Sequence, residues 1–224
     1  MNKNLLFTPL SVTVDAVIFT IEDDKLKVLL IKRAEAPFKG SWALPGGFLL
    51  RNENSEQGAI RILKEKAGVK NVYVEQLYTF DQVGRDPRGH VLTVTYFALV
   101  PRDKIKFEGN GDLQTPAFHS AKKLPALAFD HKNIISYATK RLQAKLEYTN
   151  AVFSLLPRYF TLNQLQKAYE IILDKKIDKR NFRKKFLSLG LIRPTRKMFS
   201  GTPQRPAKLY QFVTTKATEL KKFF

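Results

Sequence analysis

The segment Gly46–Val69, GGFLLRNENSEQGAIRILKEKAGV, constrains this chain more than any other stretch. Pro45-Gly46-Gly47 opens it. From Asn54 to Ala67 the residues Ala59, Ile60, Leu63 and Ala67 fall on one helical stripe, and Gly68 is placed to cap the helix. The flanking sequence is strand-like. Residues 12–19 and 26–33 are rich in β-branched and aliphatic side chains, with Glu22-Asp23-Asp24 as a hairpin turn between them. Residues 72–80 and 91–100 return to strand pattern, joined by the charged loop Gly84-Arg85-Asp86-Pro87-Arg88-Gly89. A second helix is expected from an N-cap at Asp130 to about Leu146, with Ile134, Ala138 and Leu142 on one face. Together these elements predict an α+β domain over residues 1–150.

Beyond Tyr148 the character changes. Thr161-Leu162-Asn163-Gln164 has the form of a capping box, and Leu165, Tyr169 and Ile172 supply a buried helical face behind it. Lys175-Lys176-Ile177 leads to Asp178 as N-cap of a helix reaching about Leu189 and closed by Gly190, with Phe182, Phe186 and Leu189 inward. Arg193–Lys197, a Gly201/Pro203 turn and Ala207–Val213 then predict a β-hairpin. Helix, turn, helix, hairpin is the order of a winged helix-turn-helix, here residues 151–224. That segment holds 17 Lys/Arg and 4 Asp/Glu, about two thirds of the net charge of +19 on one third of the chain. Phosphates neutralised by such a surface release counterions, so a polyanion is the expected partner.

Several classes are excluded. The longest apolar run, Val91–Val100, falls well short of the roughly 18 residues of a membrane span and is interrupted by Thr93 and Thr95. The opening MNKNLLFTPL has too short an apolar stretch for a secretory leader, so a cytoplasmic location is expected. With no cysteine, and with His90, His119 and His131 scattered, neither a disulfide, a thiol nucleophile nor a zinc site is expected.

The Gly46–Val69 spacing, preceded by Trp42-Ala43-Leu44-Pro45, resembles the Nudix box: Gly, five residues, Glu, seven residues, then Arg-Glu-apolar-x-Glu-Glu-x-Gly-apolar. Gly47, Glu53, Arg61, Leu63, Glu65, Gly68 and Val69 fit. Ile62 and Lys66 stand where the family carries glutamates. On a helix, positions 62, 65 and 66 are three and four apart, so glutamates there are expected to converge on one point and hold magnesium. With Lys66 repelling a divalent cation, the box, reduced to Glu53, Arg61 and Glu65, is expected to bind rather than hydrolyse, with no catalytic residue and no metal. For the bound molecule, Arg85 and Arg88 are placed to clamp a diphosphate while Trp42 or Phe80 stacks on a base, with Arg33 and Lys39 near the pocket mouth. Against this, Arg85 and Arg88 can pair with Asp81 and Asp86, and Trp42 and Phe80 can be core aromatics.

On the second basic helix, inward Phe182, Phe186 and Leu189 leave Arg180, Asn181, Arg183 and Lys184 on or beside the opposite face, a recognition-helix layout in which Arg reads guanine and Asn reads adenine. Lys179 and Lys185 are expected to reach phosphates, and Arg196, Lys197, Arg205 and Lys208 of the hairpin to line the flanking backbone or the minor groove. A Nudix domain followed by PRYFTLNQLQKAYE, DKRNFRKKFLSLGLI and GTPQRPAKLYQF resembles the NrtR family of Nudix-related transcriptional regulators over nearly the whole chain. LPALAFDH at Leu124–His131 and RDPRGH at Arg85–His90 also look familial. The resemblance implies a homodimeric regulator on a double-stranded DNA operator, commonly a repressor of NAD-metabolism genes. It implies ADP-ribose as small-molecule effector and no required cofactor. The Arg-x-Leu-x-Glu-Lys form of the box favours that NAD-linked branch over the arabinose-responsive one. The remaining alternatives are a sugar-responsive regulator and an active hydrolase of ADP-ribose or a related nucleoside diphosphate.

Overall fold

The computed structural model describes residues 10–69, 72–105, 116–199, 206–214 and 218. β1 (Ser11–Glu22) is central, and Thr13–Thr20 are buried without a break. Such a continuous run is what a strand covered on both faces requires, where an edge strand would alternate. β2 (Lys25–Lys32) returns antiparallel through Asp23 and Asp24, whose φ of 52° and 57° form the tight left-handed turn that aspartate tolerates. Two short strands, β3 (Trp42–Ala43) and β4 (Gly46–Phe48), pair with β2 and β1. β5 (Val74–Phe80) is antiparallel to β6 (Val91–Leu99), which runs parallel to β1, and β7 (Pro116–Ser120) joins β2. The main path is therefore β3-β2-β1-β6-β5.

One helix covers each face of this sheet. α1 (Ser55–Ala67) starts at a reciprocal capping box of Asn54 and Gln57 and ends at Gly68 with φ 61°. Its buried stripe corrects the expected one: Ile60 is 51% exposed, whereas Ile62 is 1% exposed and packs with Ala59, Leu63 and Ala67 against Val14, Ala16, Ile18 and Leu29. At 100° per residue, a face centred on Ala59, Ile62 and Leu63 leaves Ile60 on the flank. α2 (His131–Lys145) packs Ile134, Ile135, Ala138 and Leu142 on the other face, over Val17, Phe19, Val28 and Leu30. Asp130 occupies its N-cap position but its side chain accepts no capping bond from a backbone N–H, because its carboxylate is held by Arg85.

The chain then bends through a short 3-10 turn, Ala151–Leu155, into α3 (Leu162–Leu173) and α4 (Lys179–Ser188). The expected capping box at Thr161 and Gln164 and the Asp178 cap on the Asn181 N–H are both formed. Between the helices, Tyr169, Phe182 and Phe186 make a three-ring cluster with centroids 4.8 to 5.6 Å apart. β8 (Ile192–Phe199) and β9 (Ala207–Phe212) form the expected hairpin, and Phe160 bridges to Tyr210 to tie it to α3. The Gly201/Pro203 turn lies outside the described residues. No helix among the described residues is long and apolar enough to cross a membrane.

The apolar core does not stop at residue 150: the cluster containing Phe19 and Ile134 continues through Val152 and Leu155 to Leu165, Tyr169 and Phe186. Polar contacts cross as well. Gln143 Nε2 donates to Ile172 O at 2.9 Å, and Lys167 pairs with Asp24 at 2.5 Å. Phe186→Ala is expected to lower stability by about 3–5 kcal/mol in urea unfolding, the range for a buried aromatic deleted from a closed core.

Candidate functional site

Helix α1 presents a charged cluster built around one guanidinium. Arg61 donates to both oxygens of Glu53, at 3.0 and 2.7 Å, and also to Glu65 at 3.3 Å and Phe48 O at 3.1 Å. Glu53 accepts the Leu50 N–H at 2.9 Å as well. These bonds, from Arg61 first and then the Leu50 N–H, hold the Glu53 carboxyl below its usual range. The expected convergence of positions 62, 65 and 66 on one point is not what the helix provides. Ile62 points into the core, while Glu65 is half exposed on the Arg61 side.

Beside this cluster lies a cleft of ≈ 250 Å³, lined among others by Asp15, Arg33, Gly46, Arg88, Phe129 and His131. Two cations stand over one ring: the Arg33 guanidinium is 4.8 Å from the Phe129 centroid and that of Arg88 5.5 Å. Arg33 also donates to Pro37 O at 2.7 Å, fixing the loop that carries Phe38 against Phe129. Burial, and then the neighbouring Arg88, push the Arg33 guanidinium down from its usual range, so an anion in the cleft relieves a strained pair of positive charges. On the floor, β1 and β4 approach so closely that a Cβ on Gly46 would lie 1.9 Å from Asp15 Oδ1. Only glycine fits there.

Of the residues expected to hold an effector, Arg33 and Arg88 line the cleft, both beside the Phe129 ring. Arg88 is anchored by Asp86 at 2.6 Å, as the ion-pair alternative has it, and keeps 38% of its side chain exposed. Arg85 also lines the cleft, but as part of its frame: its side chain is 4% exposed and grips Asp130 at 2.7 and 3.0 Å, not Asp81. Arg85 is thus committed to the frame, and Arg33 and Arg88 are the guanidiniums left over the Phe129 ring. Trp42 and Phe80 lie outside the lining. Trp42 packs on His119 with centroids 4.6 Å apart, and Phe80 joins Tyr78 and Tyr137 at 5.3 and 5.8 Å, each partly buried and packed against the core. Lys39 is exposed on the neighbouring turn and is not part of the lining. Asp15, Phe129 and His131 were not expected. The signal for Asp15 was a carboxylate in the middle of the apolar run Val12–Phe19.

The second candidate surface is α4 with the hairpin. Lys179, Arg180, Asn181 and Lys184 are exposed on it, while Phe182 and Phe186 are buried behind. Arg183 lies beside that face, half buried, and donates to Asn163 of α3 at 2.9 Å. Lys185 is half buried too. Arg196, Lys197 and Lys208 are exposed on the hairpin, and Lys197 Nζ sits 4.2 Å from the centre of the Tyr159 ring. Arg205 lies outside the described residues.

Because the buried Arg85 side chain is the cation nearest the buried Asp15 and the partly buried Asp130, Arg85→Ala is expected to lower stability by about 3–5 kcal/mol in urea unfolding, as removal of one partner of a buried pair does. Arg88→Ala, at a half-exposed pair, is expected to lower it by about 1 kcal/mol or less.

Comparison with known proteins agrees with this two-part organisation. Residues 12–138 match the NUDIX domain family, and residues 152–212 match the family described as the NrtR DNA-binding winged helix domain. The chain is 40% identical over 207 residues to the ADPR responsive transcriptional repressor NtrR of Acinetobacter baylyi, covering 89% of this chain and 81% of the relative. It superposes on Shewanella oneidensis NrtR in complex with a 27mer DNA with a TM-score of 0.80 at 37% identity, covering 90% and 93% of the two chains. The Nudix domain of that Shewanella protein, solved with ADP ribose, matches with a TM-score of 0.54 at 39% identity, over 61% of this chain and 90% of the other. The chain belongs to the NrtR family: a Nudix domain followed by a DNA-binding winged helix domain.

Proposed function

We propose that this protein is a transcriptional repressor whose winged helix, residues 151–224, binds an operator and whose Nudix domain, residues 1–150, binds ADP-ribose without hydrolysing it. The observation that carries the reading is the pairing, in one chain, of a two-arginine cleft with an exposed basic recognition helix. Lys179, Arg180, Asn181 and Lys184 crowd the start of α4, the end that enters a major groove. Lys197 and Lys208 flank it on the hairpin, suited to backbone phosphates. The relatives supply the ligands by analogy: an ADPR-responsive repressor, a DNA complex and an ADP-ribose complex.

The residues of the Nudix helix do not fit a divalent cation. Position 62 is an apolar side chain in the core, position 66 is a lysine, and Glu53 is committed to Arg61 and the Leu50 N–H. Magnesium hydrolysis needs hard oxygen ligands free to converge on the metal. Binding is thus the task left to the cleft. Its coupling to DNA follows from α2, which begins at the cleft floor with His131 and touches α3 through Gln143 and Ile172. In a homodimer, a ligand that favours one setting of α2 changes the spacing of the two recognition helices away from half-sites about 34–36 Å apart.

Fluorescence anisotropy with duplex DNA from upstream of the gene, at physiological salt with competitor DNA, is expected to show specific binding that ADP-ribose weakens. Specific binding indifferent to ADP-ribose would contradict the effector assignment. Arg180→Ala is expected to weaken operator binding by about 1–3 kcal/mol and relax base choice, whereas Lys208→Ala weakens all sequences alike and flattens the salt dependence. Purified protein with magnesium and ADP-ribose is expected to release no AMP; steady turnover would sink the non-enzymatic reading.

A further inference from the structure

We infer that Asp15 and His131 form a socket for one sugar hydroxyl on the floor of the Arg33–Arg88 cleft, so that the site recognises a diphosphate joined to a sugar and not a diphosphate alone. The inference rests on the reading of this cleft as the ADP-ribose site and adds which residues read the sugar.

Asp15 is 7% exposed, lines the cleft, and receives no hydrogen bond on its carboxylate from the described residues. The two donors nearest its Oδ2 stop short: Arg85 Nη2 at 3.8 Å and His131 Nε2 at 3.9 Å. Arg85 is already turned to Asp130. A carboxylate this buried is ordinarily satisfied, and leaving it unbonded is unfavourable. His131 supplies the complementary half. Its Nδ1 accepts the Leu44 N–H at 2.9 Å, which places the imidazole proton on Nε2, the atom facing Asp15. Burial pushes the His131 imidazole below its usual value, so the ring stays neutral and keeps this donor-acceptor sense.

One acceptor and one donor 3.9 Å apart define a specific guest. An oxygen about 2.8 Å from each fits between them, accepting from Nε2–H and donating to Oδ2. A hydroxyl does both; a phosphate oxygen does not donate and is repelled by the carboxylate, and an ammonium does not accept. The arginines above select the anionic part, and the floor selects the hydroxyl beside it. At ≈ 250 Å³, below the roughly 300–1,000 Å³ of complete small-molecule sites, the cleft takes the diphosphate and one sugar while the rest of the nucleotide extends beyond it.

The test is isothermal titration of the full-length protein, wild type and variants, with ADP-ribose, ADP and inorganic diphosphate. Asp15→Ala is expected to lower ADP-ribose affinity about tenfold, the factor of one buried hydrogen bond, and to leave inorganic diphosphate binding unchanged or tighter. Asp15→Asn, which preserves shape and one acceptor oxygen, is expected to recover part of the loss and serves if the alanine variant does not fold. If ADP affinity falls in parallel, the hydroxyl belongs to the adenosine ribose; if ADP is unaffected, it belongs to the terminal ribose. Equal ADP-ribose affinity in wild type and variants, or the same loss for inorganic diphosphate, overturns the socket while leaving the effector reading intact. A wild type that does not bind ADP-ribose overturns both.

Discussion

The buried ion cluster of Arg85, Asp130 and Asp15 is the interaction on which the rest of the molecule depends. It gathers three separate parts of the sequence: the central strand β1, the charged loop before β6 and the start of α2. Bidentate bonding to Asp130 satisfies the guanidinium and fixes where α2 begins, so the helix is positioned by a salt bridge where a side-chain cap would normally do it. That choice gives α2 two attachments of different kinds. Its first residue, His131, is a wall of the cleft, and its third and fourth turns carry Ala138, Leu142 and Gln143 into the packing with the winged helix. On the proposed reading, a ligand that draws on Asp15 acts on the same cluster that orients the element touching α3.

Arg61 shows a similar reassignment on the opposite face of the sheet. The glutamates left in the Nudix pattern, Glu53 and Glu65, are held by Arg61 and by backbone groups of the loop before α1. A motif whose carboxylates could face a metal serves here as a staple between loop and helix, and Ile62 completes the conversion by joining the apolar core. Relaxing the demand for free carboxylates lets the helix pack more completely, which supports the proposed binding role of the domain.

Much of this organisation is legible in the sequence. Local signals carry the long elements: the Asn54 and Thr161 caps, Gly68, the Asp23-Asp24 turn and the aromatic spacing of Phe182 and Phe186 each state a short-range preference that the fold keeps. The two- to five-residue strands β3, β4 and β7 were not legible, since pairing with β1 and β2 and not any internal period makes them strands. The cleft was half legible. Arg33 and Arg88 stand out as basic residues near the box, but Asp15, Phe129 and His131 meet them only because β1 and α2 are brought together across more than a hundred residues. The capture of Arg85 and of Arg183 was not legible for one physical reason. A guanidinium in a loop or on a helix reads as solvent-facing until the carboxylate or amide that captures it, Asp130 or Asn163, is known.

The central claim is that cleft and operator surface are energetically coupled through α2. Thermodynamic linkage makes such coupling reciprocal for binding. The most direct measurement is the affinity of ADP-ribose for the free protein and for the protein already saturated with operator DNA, by calorimetric titration. The account predicts weaker binding to the DNA complex, by the same factor by which ADP-ribose weakens the operator. Equal affinity in the two states would contradict it, because a ligand that does not distinguish them cannot shift their balance.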